Sequence, residues 1–231
     1  MRAPRLAVAG LAALAALVSV SAGCVRRGRW RTAESPLTAP TWEEKAPEWL
    51  RQATVAFEID GQAFCTGALA VRPDLVVTAF HCLSPWSTPK DTSHVRLSDG
   101  SRREASLIAY DEHADLVLLR LQEPAALEPL PVADSDALHG GETLYFLGMP
   151  DPHRRVQRAR VRARDACPDL PGVPDAVFAS HIGKPGDSGA ALVGRGGIVA
   201  IVHGGTHCNI AIPSSALGPL LDQALAQNQE P

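Results

Sequence analysis

The sequence lacks the features that mark integral membrane proteins and nucleic-acid binders. Its N-terminal apolar run, at residues 6–20, has 15 residues, whereas a membrane-spanning helix needs about 20. Positive charge is also scarce. With Arg2 and Arg5 set aside, 20 of the 22 Lys and Arg residues remain against 25 Asp and Glu, a net charge near −5. We therefore expect a chain that neither spans a membrane nor binds nucleic acid.

Patterns typical of metal sites are missing as well. The stretch HGGTHC at residues 203–208 is rich in histidine and cysteine, but the chain contains no C-x-x-C pair and no H-E-x-x-H. Zinc sites usually depend on such spacings. We expect no metal and no other cofactor.

What the N-terminus does contain is the pattern of an export signal at residues 1–23. Arg2 and Arg5 precede the apolar run, and the small residues of SAGC follow it at 21–24. A signal peptidase could cut after Ala22. SAGC is also similar to the bacterial lipoprotein box, although Ser21 stands where that box usually has Leu, and the box would make Cys24 the lipidated residue.

The number of cysteines favours the lipoprotein interpretation. The chain has five, and four of them can form two bridges in an oxidising compartment, which leaves Cys24 over. The alternative is that Cys24 stays free. We expect an exported protein of the bacterial cell envelope, anchored to the membrane through Cys24, or else a secreted one.

After the signal, the chain divides into a tether and a domain. Residues 24–50 are rich in Arg, Pro and Thr without a clear period, which is typical of a linker. Residues 51–231 contain many short apolar runs separated by Gly, Pro and Asp, with hairpin signals at Asp60-Gly61 and Asp99-Gly100. Helical periodicity is convincing only at 215–227. The pattern predicts an all-β barrel or sandwich with a C-terminal helix.

One predicted strand has an unusually basic face. Arginine alternates with small apolar residues at 158–164, so a strand would place one set of side chains on one side. These are Arg158, Arg160, Arg162 and Arg164. The face is either a site for an anionic partner, such as a lipid headgroup or an acidic polypeptide, or a solvated surface that discourages edge pairing.

Three segments offer the parts of a nucleophilic hydrolase. In GKPGDSGAAL (183–192), Ser188 is either a nucleophile or part of a glycine-rich turn. His81 ends the apolar stretch LVVTAFHC and is a candidate base, with His113 as its competitor. Asp115 opens DLVLLRL and is a candidate partner for that base, with Asp111 as its competitor.

Together, VVTAFHC, DLVLLRL and GDSGA resemble the three signature segments of the trypsin-like, chymotrypsin-fold serine proteases, in that family's order. The resemblance covers about residues 54–220. It implies two antiparallel six-stranded β-barrels, at about 51–135 and 136–231, with the site in the cleft between them.

The resemblance also implies roles for individual residues. His81 is similar to the general base, Asp115 to its orienting partner and Ser188 to the nucleophile. The oxyanion hole would consist of the amides of Gly186 and Ser188. Two disulfides are implied, Cys65–Cys82 beside the histidine and Cys167–Cys208 near the substrate pocket.

Several positions depart from the family pattern. Phe80 precedes His81 where a small residue is usual, and Ala190 replaces a glycine. No Ile-Val-Gly-Gly stretch, whose new N-terminus would pair with Asp187, precedes the first barrel. We therefore expect the site to form without zymogen cleavage, with Asp187 paired to an internal Arg or to backbone.

The substrate pocket is implied by the resemblance to lie around AIVHGG. Its residues would be Ile182, His203, Gly204 and Gly205. An apolar Ile182 argues against a basic P1 side chain. His203 is either a second partner of Asp115, a pocket residue, or a strand histidine satisfied by backbone.

These expectations converge on a serine endopeptidase that acts on proteins or peptides through an acyl-enzyme. The alternative is a catalytically inactive homologue acting as a binding or scaffold lipoprotein. An esterase on the same fold is a third possibility that the sequence does not separate from a protease.

Overall fold

Two closed antiparallel barrels form the core of the structure, a computed structural model that describes residues 42–83, 92–148, 155–180, 182–205 and 208–227. The first barrel has the strand order β1-β2-β3-β6-β5-β4, and the second has the order β10-β11-β12-β9-β8-β7. The predicted fold of two six-stranded barrels with a C-terminal helix is confirmed. The predicted signal, the lipidated Cys24 and the tether up to residue 41 lie outside the described residues.

The strands of the two barrels are as follows. The first barrel consists of β1 (Thr54–Ile59), β2 (Gln62–Leu69), β3 (Leu75–Ala79), β4 (Thr92–Arg96), β5 (Arg102–Asp111) and β6 (Leu116–Leu121). The second consists of β7 (Thr143–Phe146), β8 (Gln157–Asp165), β9 (Ala176–Ala179), β10 (Ala191–Gly194), β11 (Gly197–Gly204) and β12 (Ile210–Pro213). Short 3₁₀ helices lie at Phe80–Cys82, Ser135–Ala137 and Ser214–Leu217.

Local chemistry explains why the strands begin and end where they do. The runs of Val, Leu and Ile in β3, β6 and β11 are almost entirely buried, as expected for strands in the interior of a barrel. The β1–β2 hairpin turns at Asp60 and Gly61, whose φ angles are 51° and 80°. Left-handed backbone at both positions is typical of the tight turn that an Asp-Gly pair favours. The hairpin signal in the sequence therefore predicted the turn correctly.

A helix that the sequence did not predict precedes the first strand. Helix α1 (Trp42–Ala53) overlaps the end of the predicted tether, and its residues Ala46, Leu50 and Ala53 are fully buried at helical spacing. The helix packs against β2 of the first barrel and β7 and β10 of the second. Two of the three buried residues are alanines and Pro47 lies between them, so the apolar face was inconspicuous in the sequence.

The C-terminal helix lies where the sequence predicted it. Helix α2 (Gly218–Ala226) follows the second barrel but packs against β5 and β6 of the first, with Leu220, Leu221 and Ala224 buried. The guanidinium of Arg120, in β6, donates to the carbonyl of Ala224 at 3.1 Å, near the C-terminal end of the helix. No helix within the described ranges is long and apolar enough to span a bilayer.

The basic face of β8 is smaller than predicted. A register shift between Val161 and Ala163 interrupts the alternation, and Ala163 is exposed. Arg164 is consequently half-buried and forms ion pairs with Asp136 and Asp175. A β-bulge of this kind cannot be inferred from alternation alone. The exposed basic face consists of Arg158, Arg160 and Arg162.

Candidate active site

His81 and Asp115 are held together at two points. The imidazole Nδ1 of His81 lies 2.8 Å from Oδ2 of Asp115, and the backbone N–H of His81 donates to Oδ1 at 2.9 Å. His81 is in the 3₁₀ helix that directly follows β3, and Asp115 directly precedes β6, the neighbour of β3 in the barrel. The orientation of the imidazole is therefore set by two paired, buried strands.

The electrostatics of Asp115 favour the ionised carboxylate. Only 6% of the residue is exposed, and burial alone would raise its pKa. Hydrogen bonds from His203 and His81 outweigh that effect and lower the pKa from 3.8 to about 2. Asp115 is therefore an anion at neutral pH, and its charge is directed at the two imidazoles.

Ser188 lies on a tight loop between two glycines in left-handed backbone. Gly186 has φ 88° and Gly189 has φ 81°. A Cβ on Gly189 would lie 2.0 Å from Oγ1 of Thr78 and 2.1 Å from the carbonyl of Thr66, so only glycine fits there. The Ser188 hydroxyl donates to the carbonyl of His203 at 3.3 Å, and no hydrogen bond joins it to His81 within the described residues. Catalytic hydrogen bonds are often absent or long without substrate.

Two backbone amides beside the Ser188 hydroxyl are left without partners. The N–H of Asp187 donates to the carbonyl of Lys184 at 2.9 Å, which closes the turn. Within the described part of the chain, the N–H groups of Gly186 and Ser188, on either side of it, have no hydrogen-bond acceptor. Unpaired amides are rare in folded proteins. This pair can bind an oxyanion.

Asp187 lines a second cavity, of about 530 Å³, that Ser188 does not line. Its carboxylate accepts a hydrogen bond from the backbone N–H of Lys184 at 3.1 Å, so of the two predicted partners, Arg and backbone, the backbone one is found. Gly148 makes room for the carboxylate, since a Cβ there would lie 1.9 Å from its oxygen. Burial raises the pKa of Asp187, and the amide and charge of Lys184 lower it by less.

Replacing Asp187 by Asn is expected to raise the melting temperature at pH 7, because the buried carboxylate loses its charge while the residue keeps its size. The pKa of Asp187 is raised in the folded state, so this group stabilises the fold below its unfolded value of 3.8 and loses that contribution as the pH rises through the folded value. The Asn amide keeps the acceptor for Lys184 without the charge. Calorimetry from pH 3 to 8 measures the difference.

The matched control for this experiment is Asp74→Asn. Asp74 is also buried, but Arg72 donates to both of its oxygens, at 2.9 and 3.0 Å. Its replacement is therefore expected to lower the melting temperature at pH 7. An Asp187→Asn variant that is less stable at neutral pH, or whose gain persists at pH 3, contradicts the assignment.

His203, near the end of β11, is the second imidazole bound to Asp115. Its Nδ1 lies 2.5 Å from Oδ2 of Asp115, the oxygen that also faces His81. The rings of His81 and His203 are 5.5 Å apart and nearly perpendicular. Two of the three roles left open in the sequence fit this position, because His203 bonds to Asp115 and also lines the cleft.

The cleft itself is open, with a volume of about 1190 Å³, and it brings most of the predicted site residues together. His81, Asp115, Ser188, His203, Gly204 and Gly205 all line it. Ile182 does not line it and is a correction to the predicted pocket. Only 2% of Ile182 is exposed, and it packs in the core of the second barrel with Ala190 and Leu192, where an apolar side chain is more stable than in a wet cleft.

The two competing residues, Asp111 and His113, occupy different places from Asp115 and His81. Asp111 accepts hydrogen bonds from the amides of His113 and Ala114, at 2.9 and 3.0 Å, and so stabilises a turn without contacting His81. His113 is exposed at the rim of the cleft. The bulky Phe80 stacks on Tyr110, with ring centroids 5.2 Å apart, and forms part of the cleft wall.

Two threonines of the first barrel, not singled out in the sequence, hold the Ser188 loop of the second. The N–H of Thr66 donates to the carbonyl of Ser188 at 2.8 Å, and its hydroxyl donates to the carbonyl of Gly186 at 2.7 Å. The hydroxyl of Thr78 donates in turn to the carbonyl of Thr66 at 2.6 Å. Isolated threonines in strands give no sequence signal for such a role.

Both implied disulfides, Cys65–Cys82 and Cys167–Cys208, are present. They also account for two of the three groups of metal-type ligands in the described residues, because their sulfurs are bonded to each other. The third group consists of His81, Asp115 and His203, whose facing atoms are already hydrogen-bonded to one another.

Two six-stranded barrels, with a His–Asp pair from the first facing a serine loop of the second, define the chymotrypsin-like class of fold. A family model described as the trypsin-like peptidase domain matches residues 65–201, more than half of the sequence. The chain belongs to this family.

Curated relatives of the chain are bacterial serine proteases. The periplasmic pH-dependent serine endoprotease DegQ of Escherichia coli (strain K12) is 28% identical over 142 residues, which is 57% of this chain and 31% of DegQ. The periplasmic serine endoprotease DegP of Salmonella typhimurium (strain LT2) is 36% identical over 75 residues, which is 32% of this chain and 15% of DegP. The chain thus matches less than a third of the length of either relative.

Solved structures agree on the fold. The match to the crystal structure of Deg5 has a TM-score of 0.63 at 19% identity, and it covers 78% of this chain and 94% of the Deg5 chain. The match to the structure of the HtrA-type protease AlgW with a tripeptide has a TM-score of 0.66 at 20% identity, and it covers 82% of this chain and 65% of the AlgW chain. At these identities the comparison establishes the shared double barrel.

Proposed function

We propose that the protein is a serine endopeptidase that hydrolyses protein or peptide substrates through an acyl-enzyme. Ser188 is the nucleophile, His81 the general base and Asp115 the residue that orients it. The amides of Gly186 and Ser188 bind the oxyanion. The observation that supports this most strongly is the two-point bond between His81 and Asp115 in the cleft that Ser188 lines.

In the proposed reaction, the Ser188 hydroxyl leaves the carbonyl of His203 and turns toward Nε2 of His81. Oγ attacks the scissile carbonyl carbon as its proton passes to Nε2, and the carbonyl oxygen becomes an anion between the two unpaired amides. Collapse of the tetrahedral intermediate breaks the C–N bond, and His81 returns the proton to the leaving amine. Water then repeats the sequence on the ester and frees Ser188.

The experiment that tests this proposal is labelling of the full chain with a fluorophosphonate probe. Wild type is expected to gain one label, located on Ser188 by mass spectrometry, and Ser188→Ala to gain none. Labelling of the uncut chain also supports the prediction that no zymogen cleavage is needed, since Asp187 is satisfied by backbone. Folded protein that gains label only after cleavage at 25–55 contradicts that prediction, and folded protein that is never labelled contradicts the function.

The two alternatives to a protease are an inactive homologue and an esterase. An inactive homologue acting as a scaffold has no support in the described site, because Phe80 is accommodated on Tyr110 and His203 bonds to Asp115. An esterase would label in the same way. Turnover of thioesters together with no cleavage of casein or of a peptide library would favour it.

We further propose that the chain is exported and attached to the membrane by a lipid on Cys24. The relatives are named periplasmic, and the N-terminal sequence is similar to a lipoprotein signal. Anionic headgroups are the partner we propose for the basic face of Arg158, Arg160 and Arg162.

Fractionation of cells that express the full chain tests both proposals. Wild type is expected in the membrane fraction even after a high-salt wash, and Cys24→Ser in the soluble fraction after the same wash. At low salt, residual membrane retention of Cys24→Ser is expected to disappear when Arg158, Arg160 and Arg162 become Gln, because such binding is screened by salt. Salt-resistant retention of Cys24→Ser contradicts the lipid anchor.

A further inference from the structure

Thr66, in strand β2 of the first barrel, binds two carbonyls of the Ser188 loop in the second. Its side-chain hydroxyl donates to the carbonyl of Gly186 at 2.7 Å, and its backbone N–H donates to the carbonyl of Ser188 at 2.8 Å. Thr66 is fully buried, and its own carbonyl accepts from the hydroxyl of Thr78 at 2.6 Å. A buried β-branched side chain has little rotamer freedom, so the hydroxyl is held in its direction toward Gly186.

The hydroxyl bond fixes the peptide plane between Gly186 and Asp187. In a trans peptide the carbonyl and the following N–H point in opposite directions, so a partner that holds one also orients the other. The Gly186 carbonyl is bound by Thr66, and the N–H of Asp187 donates to the carbonyl of Lys184 at 2.9 Å. This plane is therefore held from both of its edges.

The Ser188 amide is oriented by bonds that do not involve the side chain of Thr66. The carbonyl of Asp187 accepts from the N–H of Ala190 at 2.9 Å, so the Ser188 N–H of the same peptide points the opposite way. The carbonyl of Ser188 is held by the backbone N–H of Thr66, which every substitution except proline retains. Ser188 thus keeps its orientation when the hydroxyl is removed.

The Gly186 amide, the other half of the proposed oxyanion site, has less support. Its φ of 88° lies in the region that favours glycine, the residue with the greatest backbone freedom. Within the described ranges, no hydrogen bond reaches the carbonyl of Pro185, which shares a peptide with this amide. The hydroxyl of Thr66 is therefore the contact from outside the loop that restrains Gly186.

We propose that Thr66 is a positioning residue for the oxyanion site, and that its hydroxyl holds Gly186 so that the amides of Gly186 and Ser188 face the same point. This inference rests on the proposed function, because it concerns the proposed Ser188 site. Thr66 is not among the residues that line the cleft, so it acts through Gly186. The hydroxyl belongs to the first barrel, and the oxyanion site is therefore completed by the docking of the two barrels.

Fluorophosphonate labelling of the full chain tests this inference without a known substrate. Thr66→Val removes the donor and keeps the size and branching of the side chain. Its labelling rate is expected to fall by about 10- to 100-fold, because removal of an oxyanion donor costs about 10²–10³ and a displaced donor costs less. Thr66→Ser keeps the hydroxyl, so its rate is expected to remain close to that of wild type. Thr66→Ala also lacks the donor and gives the same test if the valine variant does not fold.

Ser214→Ala is the matched control, because it also removes a buried hydroxyl that donates to a carbonyl. Ser214 binds the carbonyl of Ala133 at 2.6 Å, away from the cleft. This variant is expected to melt at a lower temperature and to label at the wild-type rate. The inference is overturned if Thr66→Val labels as fast as wild type, if Thr66→Ser is slowed as much as Thr66→Val, or if Ser214→Ala is slowed equally. Circular dichroism melts establish that each variant is folded.

A measurement that does not require activity separates this inference from the proposed function. In the full Ser188→Ala chain labelled with ¹⁵N-glycine, the amide of Gly186 is expected to have an NMR order parameter typical of rigid backbone, and Thr66→Val is expected to lower it. Gly189 is the internal reference, because its N–H donates to the carbonyl of Val202 at 2.7 Å, and its order parameter is expected to stay the same.

The two kinds of failure are then distinguishable. An order parameter of Gly186 that Thr66→Val leaves unchanged overturns the inference even if wild type is labelled on Ser188. A folded wild-type chain that is never labelled contradicts the protease function, and a lowered order parameter at Gly186 in that case still supports the positioning by Thr66.

Discussion

Ser188→Ala is expected to lower kcat/KM toward any cleaved substrate by about 10⁴–10⁶ without altering the fold. The hydroxyl contributes one hydrogen bond of 3.3 Å, to the carbonyl of His203, so its loss leaves the loop and its ties to Thr66 intact. Steady-state kinetics and a thermal melt measure the two effects. His81→Ala is expected to lose a similar factor, and the double variant no more than either single one, because the residues act as a unit.

Ser214→Ala is the matched control for the loss of a hydroxyl. Ser214 is buried, and its hydroxyl donates to the carbonyl of Ala133 at 2.6 Å, away from the cleft. This variant is expected to lose about 1 kcal/mol of stability and to keep its kcat. A Ser188→Ala chain that retains wild-type activity would refute the nucleophile.

Asp115→Asn is expected to reduce kcat by about 10³–10⁴ at neutral pH. An amide has one acceptor and one donor group, so it cannot accept from both imidazoles, and its NH₂ favours the His81 tautomer that carries hydrogen on Nε2. The variant also loses stability. Because the pKa of Asp115 is lowered from 3.8 to about 2, the ionised group stabilises the fold by about 2 kcal/mol above pH 3.8, and this contribution is lost as the pH falls through about 2.

Asp111→Asn is the matched control for Asp115→Asn. It also removes a negative charge, four residues before Asp115 in the sequence. Asp111 only caps the amides of His113 and Ala114, so its replacement is expected to affect stability modestly and leave the pH profile unchanged. Proton NMR of the imidazole hydrogens reports the tautomer of His81 in each variant. If Asp111→Asn abolishes activity while Asp115→Asn retains it, the orienting role belongs to Asp111.

What could be predicted from the sequence was local in the chain. Three features can each be recognised within about ten residues of sequence. They are the buried strand before His81, the buried strand after Asp115 and the glycines around Ser188. The hairpin turn at Asp60-Gly61 and the C-terminal helix were predicted for the same reason. The two disulfides were correct because a family resemblance, and not spacing, supplied the pairing.

What could not be predicted depends on contacts between distant parts of the sequence and on local irregularities of the strands and loops. Whether His203 meets Asp115 is decided by a hydrogen bond between residues 88 positions apart. Arg164 was predicted to belong to the basic face but does not, because a one-residue bulge interrupts the alternation of β8. Ile182 was predicted to line the cleft but packs in the core of the second barrel. Helix α1 was not predicted, because its buried face consists largely of alanine. Alanine fits closely against both barrels but buries little area, so it gives a weak hydrophobic pattern in the sequence.

The contacts between the two barrels determine when during folding the proposed site can form. The proposed base His81 and its partner Asp115 lie in the first barrel and the proposed nucleophile Ser188 in the second, while Thr66 holds the loop of Ser188 and α2 packs against β5 and β6. A full-length chain that has not folded therefore contains the side chains of the proposed site without their arrangement. The proposed site can therefore form only when both barrels have folded and docked against each other.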